Sequence, residues 1–370
     1  MARVLHVTFD MRIGGTEMVI KNIIEGSDLY KHPMSIFCIE TPIGPWGQSL
    51  VSKGIPIDAE KRKPGFDIDI VKKLRHYIIE KKIDVVHCHQ YTPWVYGALA
   101  SIFTKARVIF TEHGRFYPDS RSYKRKIVNP FLTQCTSKIT SISEATKQAL
   151  VEFEYLPKNL ISVVYNGIIP RFKDLQNRKN IRLELGVSDD TFLLGTIARF
   201  DPIKNHEMML HAFNRAKQHN KNIKLLMVGD GEERRNIERL INELQLESDV
   251  ILTGYKESAS SFIDAMDLFL LSSLSEGTSM TLLEAMALQT PCVVTDAGGN
   301  SEIILHGEVG LVAPNNDIEA FSQAISVIIN DPSLIQKMEE KCLPHFNTHF
   351  HANIMNKQYT AIYEELSRHG

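Results

Sequence analysis

Leu268-Phe269-Leu270-Leu271-Ser272-Ser273-Leu274-Ser275-Glu276-Gly277-Thr278-Ser279-Met280-Thr281-Leu282-Leu283-Glu284-Ala285-Met286 is the most informative stretch of this 370-residue chain. A short apolar run reads as a buried strand, a Ser- and Gly-containing turn follows, and a helix is expected to start near Thr278 or Ser279. That is one strand–helix unit of a parallel sheet with crossover helices.

The unit recurs on both sides. Strands are expected at Val4–Phe9, Met34–Ile39, Asp84–His87, Arg107–Thr111, Lys138–Ser141 and Ile161–Tyr165. A second series runs through Phe192–Ile197, Lys224–Val228, Val250–Thr253, Leu268–Leu271 and Cys292–Asp296, with helices such as Asn205–Gln218 and Glu232–Leu244 between them. Between the series, Asn166-Gly167-Ile168-Ile169-Pro170 and the polar run Arg171 to Arg182 lose hydrophobic periodicity and read as a linker. The fold class is therefore α/β, with Rossmann-like domains at 1–168 and 183–350 and a last helix from about His351 to Ser367. The length also exceeds what one hydrophobic core usually supports. Open α/β sheets bind ligands beyond the carboxyl ends of their strands, so the chemistry is expected in the loops that follow strands, at a cleft between the two sheets.

Composition excludes several classes. The chain is 43% hydrophobic and 23% charged, as in ordinary globular proteins. Its five cysteines, Cys38, Cys88, Cys135, Cys292 and Cys342, are scattered and form no CxxC pair, against a zinc module or disulfide framework and in favour of a reducing cytoplasm. Met1 to Phe9 reads as a strand, so no signal peptide is expected, and no run approaches the ~20 apolar residues of a membrane span. The net charge of −2 is uneven: residues 1–170 carry 23 Lys+Arg against 16 Asp+Glu, and residues 171–370 carry 19 against 28.

In the quoted stretch two carboxylates, Glu276 and Glu284, bracket a helix start. Free N–H groups and the positive dipole end there suit a diphosphate. Eight residues at ~1.5 Å rise separate the acids by up to ~12 Å, enough for one to meet a sugar and the other a ribose. The alternative is that Ser and Glu cap a buried helix. In Ala198-Arg199-Phe200-Asp201-Pro202-Ile203-Lys204-Asn205-His206, Arg199 and Lys204 bring two cations to one loop, able to neutralise a departing diphosphate without a metal; the alternative is an exposed salt-bridged turn. Gly14 and Gly15, in Asp10-Met11-Arg12-Ile13-Gly14-Gly15-Thr16-Glu17, permit close backbone approach or merely a tight turn. His113, after another strand, is placed to hydrogen-bond a sugar or phosphate, or is structural. Gly229-Asp230-Gly231-Glu232 and Gly254-Tyr255-Lys256 read as nucleoside-facing turns. Asp67-Ile68-Asp69 has metal-binding DxD spacing but reads as a helix cap. His87-Cys88-His89 lacks further zinc ligands at suitable spacing and reads as a strand terminus.

With Gly14-Gly15, His113, Arg199 with Lys204, Gly229–Gly231 and the Glu276-x7-Glu284 pair in this order, the chain resembles the family-4 retaining glycosyltransferases of the GT-B fold (glycosyltransferase group 1) over nearly its whole length. The resemblance implies that Glu276 contacts the donor sugar and Glu284 the ribose, with Thr278, Ser279 and Met280 at the helix start between them. It implies that Arg199 and Lys204 hold the diphosphate, that Gly15 approaches the phosphates, that His113 lies beside the sugar, and that residues 351–370 cross back onto the first domain. Such enzymes retain anomeric configuration, generally without a metal or other cofactor. The expected function is metal-independent hexosyl transfer from a UDP- or GDP-type sugar to a sugar, lipid-linked or polysaccharide-precursor acceptor. The alternatives are a nucleotide-sugar epimerase or hydrolase on the same fold, or a non-catalytic nucleotide-binding subunit.

The basic segments Lys61-Arg62-Lys63, Lys72-Lys73-x-Arg75, Lys81-Lys82 and Arg121-x-x-Lys124-Arg125-Lys126 all lie in the first half. They suggest a cytoplasmic protein that meets an anionic membrane surface or a phosphate-bearing acceptor. Nucleic acid is not expected as a partner, because aromatic residues are not interleaved with these charges.

Overall fold

The computed structural model describes residues 2–114 and 119–368. The chain divides into two compact units, Met1–Ile169 with Ala352–Gly370, and Pro170–His351.

The first unit runs β1 Val4–Thr8, α1 Gly15–Glu25, β2 Met34–Cys38, α2 Pro45–Ser52, β3 Ile57–Ala59, α3 Ile68–Glu80, β4 Val85–His89, α4 Tyr91–Ser101, β5 Arg107–Glu112, α5 Tyr123–Gln134, β6 Lys138–Ser141, α6 Glu144–Phe153 and β7 Ile161–Val163. Its strands are all parallel, in the order β3-β2-β1-β4-β5-β6-β7. Every residue of β1, β2 and β4 is buried, which is why they read as unbroken runs rather than alternating ones.

The second unit runs α7 Leu175–Glu184, β8 Phe192–Ile197, α8 His206–His219, β9 Ile223–Val228, α9 Arg234–Glu243, β10 Val250–Gly254, β11 Leu268–Leu271, α10 Met280–Ala287, β12 Cys292–Thr295, α11 Asn300–Ile303, β13 Gly310–Ala313, α12 Ile318–Ile329 and α13 Pro332–His349. Its strands are parallel too, ordered β10-β9-β8-β11-β12-β13. The α/β reading with two Rossmann-like sheets holds.

The final helix, α14 Ala352–Arg368, packs on the first unit. Met355, Tyr359 and Tyr363 recur every fourth residue and are buried, giving the apolar stripe that a docked helix needs. Asn356 donates to the carbonyl of Asn22 at 3.1 Å, and Asn22 donates to that of Gly167 at 3.1 Å. A Cβ on Gly26 would lie 1.8 Å from the Asn356 amide nitrogen, so a side chain there would displace the Asn356 amide from its bond to Asn22.

The polar run after Pro170 is not a linker. Arg171, Asn177, Arg178 and Arg182 fasten α7 to the second unit through Asp264 and Asp267, with Arg171–Asp264 and Arg182–Asp267 both at 2.7 Å. Ion pairs hold this helix where an apolar face would normally do so, and hydrophobic periodicity does not register them. Two short strands beyond those expected from the sequence, β3 and β13, lie at the outer edges of their sheets.

Candidate active site

In each sheet the strand order reverses once, between β1 and β4 and between β8 and β11. Connections from such a pair leave in opposite directions and open a crevice at the carboxyl edge. In the second unit the loops bordering that crevice are Ala198–Asn205, after β8, and Ser272–Ser279, after β11. These are the loops that carry Arg199, Lys204 and Glu276.

Side chains and backbone tie the two loops together. Lys204 Nζ lies 2.5 Å from Glu276 Oε1, and Ser273 Oγ donates to the same carboxylate oxygen at 2.7 Å. The Leu274 N–H donates to the Ile203 carbonyl at 2.8 Å, and Ser272 Oγ to the Lys204 carbonyl at 2.8 Å. From the loop after β12, the Gly299 N–H donates to the Glu276 carbonyl at 3.1 Å. Gly298 there has φ 56°, and a Cβ would sit 1.8 Å from that carbonyl oxygen. Glycine is obligatory at 298 for the Glu276 backbone to hold its position.

Arg199 is placed differently. Its side chain is 77% exposed, and its Nε lies 2.8 Å from the Asp201 carboxylate. The exposed salt-bridged turn anticipated as an alternative is present, on the same loop as the better buried Lys204.

Ser279 is the N-cap of α10, accepting from the Leu282 N–H at 3.4 Å, and Thr278 and Ser279 are both buried. Met280 is the first helical residue, and Glu284 lies just over one turn further on. Burial pushes the Glu284 carboxyl up to about 7, and the Arg171 guanidinium only partly opposes this.

Gly229 and Gly231 answer to packing. A Cβ on Gly229 (φ 151°) would lie 1.9 Å from the Ala198 carbonyl oxygen, and one on Gly231 2.3 Å from that of Phe200. The loop after β9 is thus a close-fitting support for the loop that carries Arg199. Asp230 Oδ1 accepts from the Gly231 N–H at 2.8 Å, and Tyr255 stands exposed after β10.

In the first unit, Gly14 is the N-cap of α1 with extended backbone, and a Cβ on it would lie 2.5 Å from Glu17 Oε2. Glu17 occupies the first turn, its carboxyl raised above the ordinary range by burial and, to a lesser extent, by Asp10. Asp10 itself pairs with Arg12 at 2.9 Å.

His113, just beyond β5, ends a chain of imidazoles that the sequence did not reveal. His113 Nε2 lies 2.8 Å from His89 Nδ1, and His89 Nε2 lies 2.9 Å from His6 Nδ1. His87 bonds Tyr363 Oη at 2.8 Å and Thr111 Oγ1 at 2.7 Å. Burial lowers the pKa of all four rings, His6 and His113 to about 3, so they are neutral at physiological pH. A neutral imidazole has one donor and one acceptor nitrogen, so the tautomers of His6, His89 and His113 are locked together. His6 Nε2 and His113 Nδ1 are buried chain ends with no partner among the described residues. One end of the chain must therefore carry a proton and the other a lone pair: a lone pair on His6 Nε2 makes His113 Nδ1 a donor, and a proton on His6 Nε2 makes His113 Nδ1 an acceptor.

The ligand atoms of His6, His87 and His89 lie within 4.8 Å of one another, close enough for a metal-binding group. Strand alternation puts His87 and His89 on one face of β4, and the neighbouring β1 adds His6, which is remote in sequence. Asp67 is the N-cap of α3, accepting from the Asp69 N–H at 3.0 Å, as its spacing suggested.

Comparison with known proteins agrees with this layout. Residues 177–342 match the family model for glycosyl transferases group 1, and residues 13–172 that for glycosyltransferase family 4. The N-acetyl-alpha-D-glucosaminyl L-malate synthase of Bacillus anthracis is 26% identical over 82% of this chain and 81% of its own. The UDP-Gal:alpha-D-GlcNAc-diphosphoundecaprenol alpha-1,3-galactosyltransferase of Escherichia coli is 24% identical over 75% of each. Among solved structures, Anabaena HepE in complex with UDP superposes with a TM-score of 0.88 at 20% identity, over 98% of this chain and 100% of that one.

Proposed function

Since the chain belongs to the family-4 glycosyltransferases of the GT-B fold, we propose that it transfers a hexosyl group from a nucleoside-diphosphate sugar, with retention and without a metal. The observation that carries this reading is the convergence of Lys204 and Glu276 on the β8/β11 crevice, joined at 2.5 Å.

Breaking a glycosyl–phosphate bond leaves negative charge on the diphosphate, and catalysis requires a preformed positive counterpart there. In this reading Lys204, Arg199 and the N-terminus of α10 supply it. The Glu276 carboxylate holds Lys204 extended before the donor arrives and accepts from the sugar hydroxyls afterwards. Glu284 accepts from the ribose hydroxyls, Tyr255 and the Gly229–Gly231 loop border the nucleoside, and Thr278, Ser279 and Met280 present backbone to phosphate. For the first unit the family reading assigns His113 to the transferred sugar, and Gly14 with Gly15 to close backbone approach. Retention follows if the acceptor attacks the face that the diphosphate leaves, its proton passing to a departing phosphate oxygen.

The structure of HepE contains UDP and the E. coli relative is named for a uridine donor and a polyprenyl-diphosphate-linked sugar. On that basis the donor is a UDP-sugar and the acceptor a sugar, free or lipid-linked, met at the cytoplasmic face of a membrane. Incubation with a panel of UDP- and GDP-sugars plus EDTA, with the product's anomeric configuration read by NMR, tests this. An axial donor giving an axial glycoside supports it, whereas inversion, or activity lost with the chelator, refutes it. Free nucleotide without glycoside assigns the site to hydrolysis or epimerisation instead.

A further inference from the structure

We infer that α5 is the element by which this chain docks on an anionic lipid bilayer, an inference that builds on the proposal that the acceptor is met at a membrane. Surface helices normally turn charged residues to water and apolar ones inward. Helix α5 does both the usual and the reverse. Asn129, Leu132 and Thr133 face the core, while Tyr123, Ile127 and Phe131 are 87%, 77% and 51% exposed on the opposite side. Those three recur every fourth residue, so at ~100° per residue they form one stripe along the helix, and exposed Val128 widens it.

The charges flank that stripe. Lys124 and Lys126 lie on either side of Ile127, and both are exposed. Helix α5 contains no acidic residue. Arg121 and Arg125 turn away to Glu152 and Glu154 at 2.9 and 2.6 Å, which anchors the helix through its inner edge, while Lys124 stays at the outer one and the Lys126 ammonium lies 5.9 Å from the centre of the Tyr155 ring, with no acidic partner in either case among the described residues. An apolar ridge edged by lysines is the pattern of a helix lying in the plane of a membrane interface. The ridge enters the acyl boundary and the ammonium groups meet lipid phosphates.

The other basic segments differ. Lys63 and Lys72 pair with Asp69 at 2.9 and 3.7 Å, Lys73 with Glu60 at 2.6 Å and Lys81 with Glu80 at 2.8 Å. Acids on or beside α3 compensate those four cations, and Lys61 and Lys82 stand without such an apolar ridge, whereas α5 sets Lys124 and Lys126 beside exposed apolar area. A protein partner would use the same ridge, but an acid-free rim of lysines on both sides matches a uniformly anionic surface better than a patterned one.

The test is flotation of the full chain with phosphatidylglycerol/phosphatidylcholine vesicles at low salt, against phosphatidylcholine alone. Wild type should float with the anionic vesicles only. Ile127→Asp with Phe131→Asp should weaken binding ~10-fold per site, and Lys124→Glu with Lys126→Glu at least ~5-fold per site. Being on the outer face, none of these changes should alter far-UV circular dichroism, melting temperature or turnover of donor with a soluble acceptor. A Phe131→Trp variant should shift its emission to the blue on vesicle addition. No flotation of wild type, or undiminished flotation of the Ile127/Phe131 variant, overturns the inference. Loss of self-association rather than of flotation in that variant assigns the ridge to a second copy of the chain. Vesicle binding without transfer to any lipid-linked acceptor would leave docking intact and refute the acceptor proposal alone.

Discussion

Replacing Glu284 by Gln should make the folded protein more stable while weakening its hold on nucleotide, and the stability gain should depend on pH. Burial raises this carboxyl from 4.5 to about 7. Below pH ~4.5 both folded and unfolded chains hold the proton, and the group contributes nothing. From there to pH ~7 the unfolded chain ionises first, so folding is opposed increasingly; above pH ~7 the full penalty applies. At ~1.4 kcal/mol per pH unit the shift corresponds to ~3 kcal/mol, reduced to ~2 kcal/mol because the side chain is partly exposed. For a unit of this size that is a melting-temperature gain of roughly 4–8 °C at pH 8. Parallel melts of wild type and Glu284→Gln at pH 5 and pH 8 measure it. A difference that fails to grow with pH would refute the claim that burial holds Glu284 neutral. If ribose hydroxyls donate to the ionised carboxylate, nucleotide binding near pH 7 also releases a proton. Calorimetry in buffers of different ionisation enthalpy detects that release.

Other consequences concern the supports of the site. Gly298→Ala would put a Cβ against the Glu276 carbonyl at a left-handed φ; it should cost ~2–3 kcal/mol of stability and reduce donor turnover more than tenfold, as denaturant midpoints and initial rates will show. The imidazoles of the first unit give its stability an acid limit. The folded pKa values of His6 and His113 are depressed to about 3, so the unfolded chain binds protons first as pH falls below ~6.5, and each ring removes up to ~1.4 kcal/mol per pH unit between there and ~3. Guanidinium midpoints at pH 7.5 and 5.5 should therefore fall steeply, whereas a flat profile would show that the rings are solvated. His89→Ala, which severs the imidazole chain, should flatten that profile while lowering stability at pH 7.5 by ~2–4 kcal/mol.

Central strands were legible because burial on both faces writes them as contiguous apolar runs: β6, β8 and β11 lie where the sequence placed them, to the residue. Strand β3 is three residues with an aspartate at its centre and writes no apolar run, and β13, Gly310–Ala313, is apolar but only four residues long. Helix α7 escaped because Arg178 and Arg182 hold it to Asp267, and a long-range ionic contact leaves no periodic trace. The loops bearing Arg199, Lys204 and Glu276 were readable from residue type and order, since they follow strands. Their connection to Gly298, and the link from His113 through His89 to His6, were not. His6 stands alone in Val4–Thr8, and its partner is 83 residues away. Glycines 229 and 231 were noticed for a ligand-facing role, yet their immediate physical reason is the carbonyls of Ala198 and Phe200.

The proposed transfer requires that the diphosphate be received at the β8/β11 crevice. Calorimetric titration of uridine and UDP into wild type and an Arg199→Ala, Lys204→Ala double variant measures this directly. Wild type should prefer the diphosphate by at least ~100-fold, from two charge-assisted contacts of ~1.5–3 kcal/mol each, and the double variant should lose most of that preference while binding uridine as before. A double variant that still discriminates UDP from uridine as well as wild type does would contradict the account.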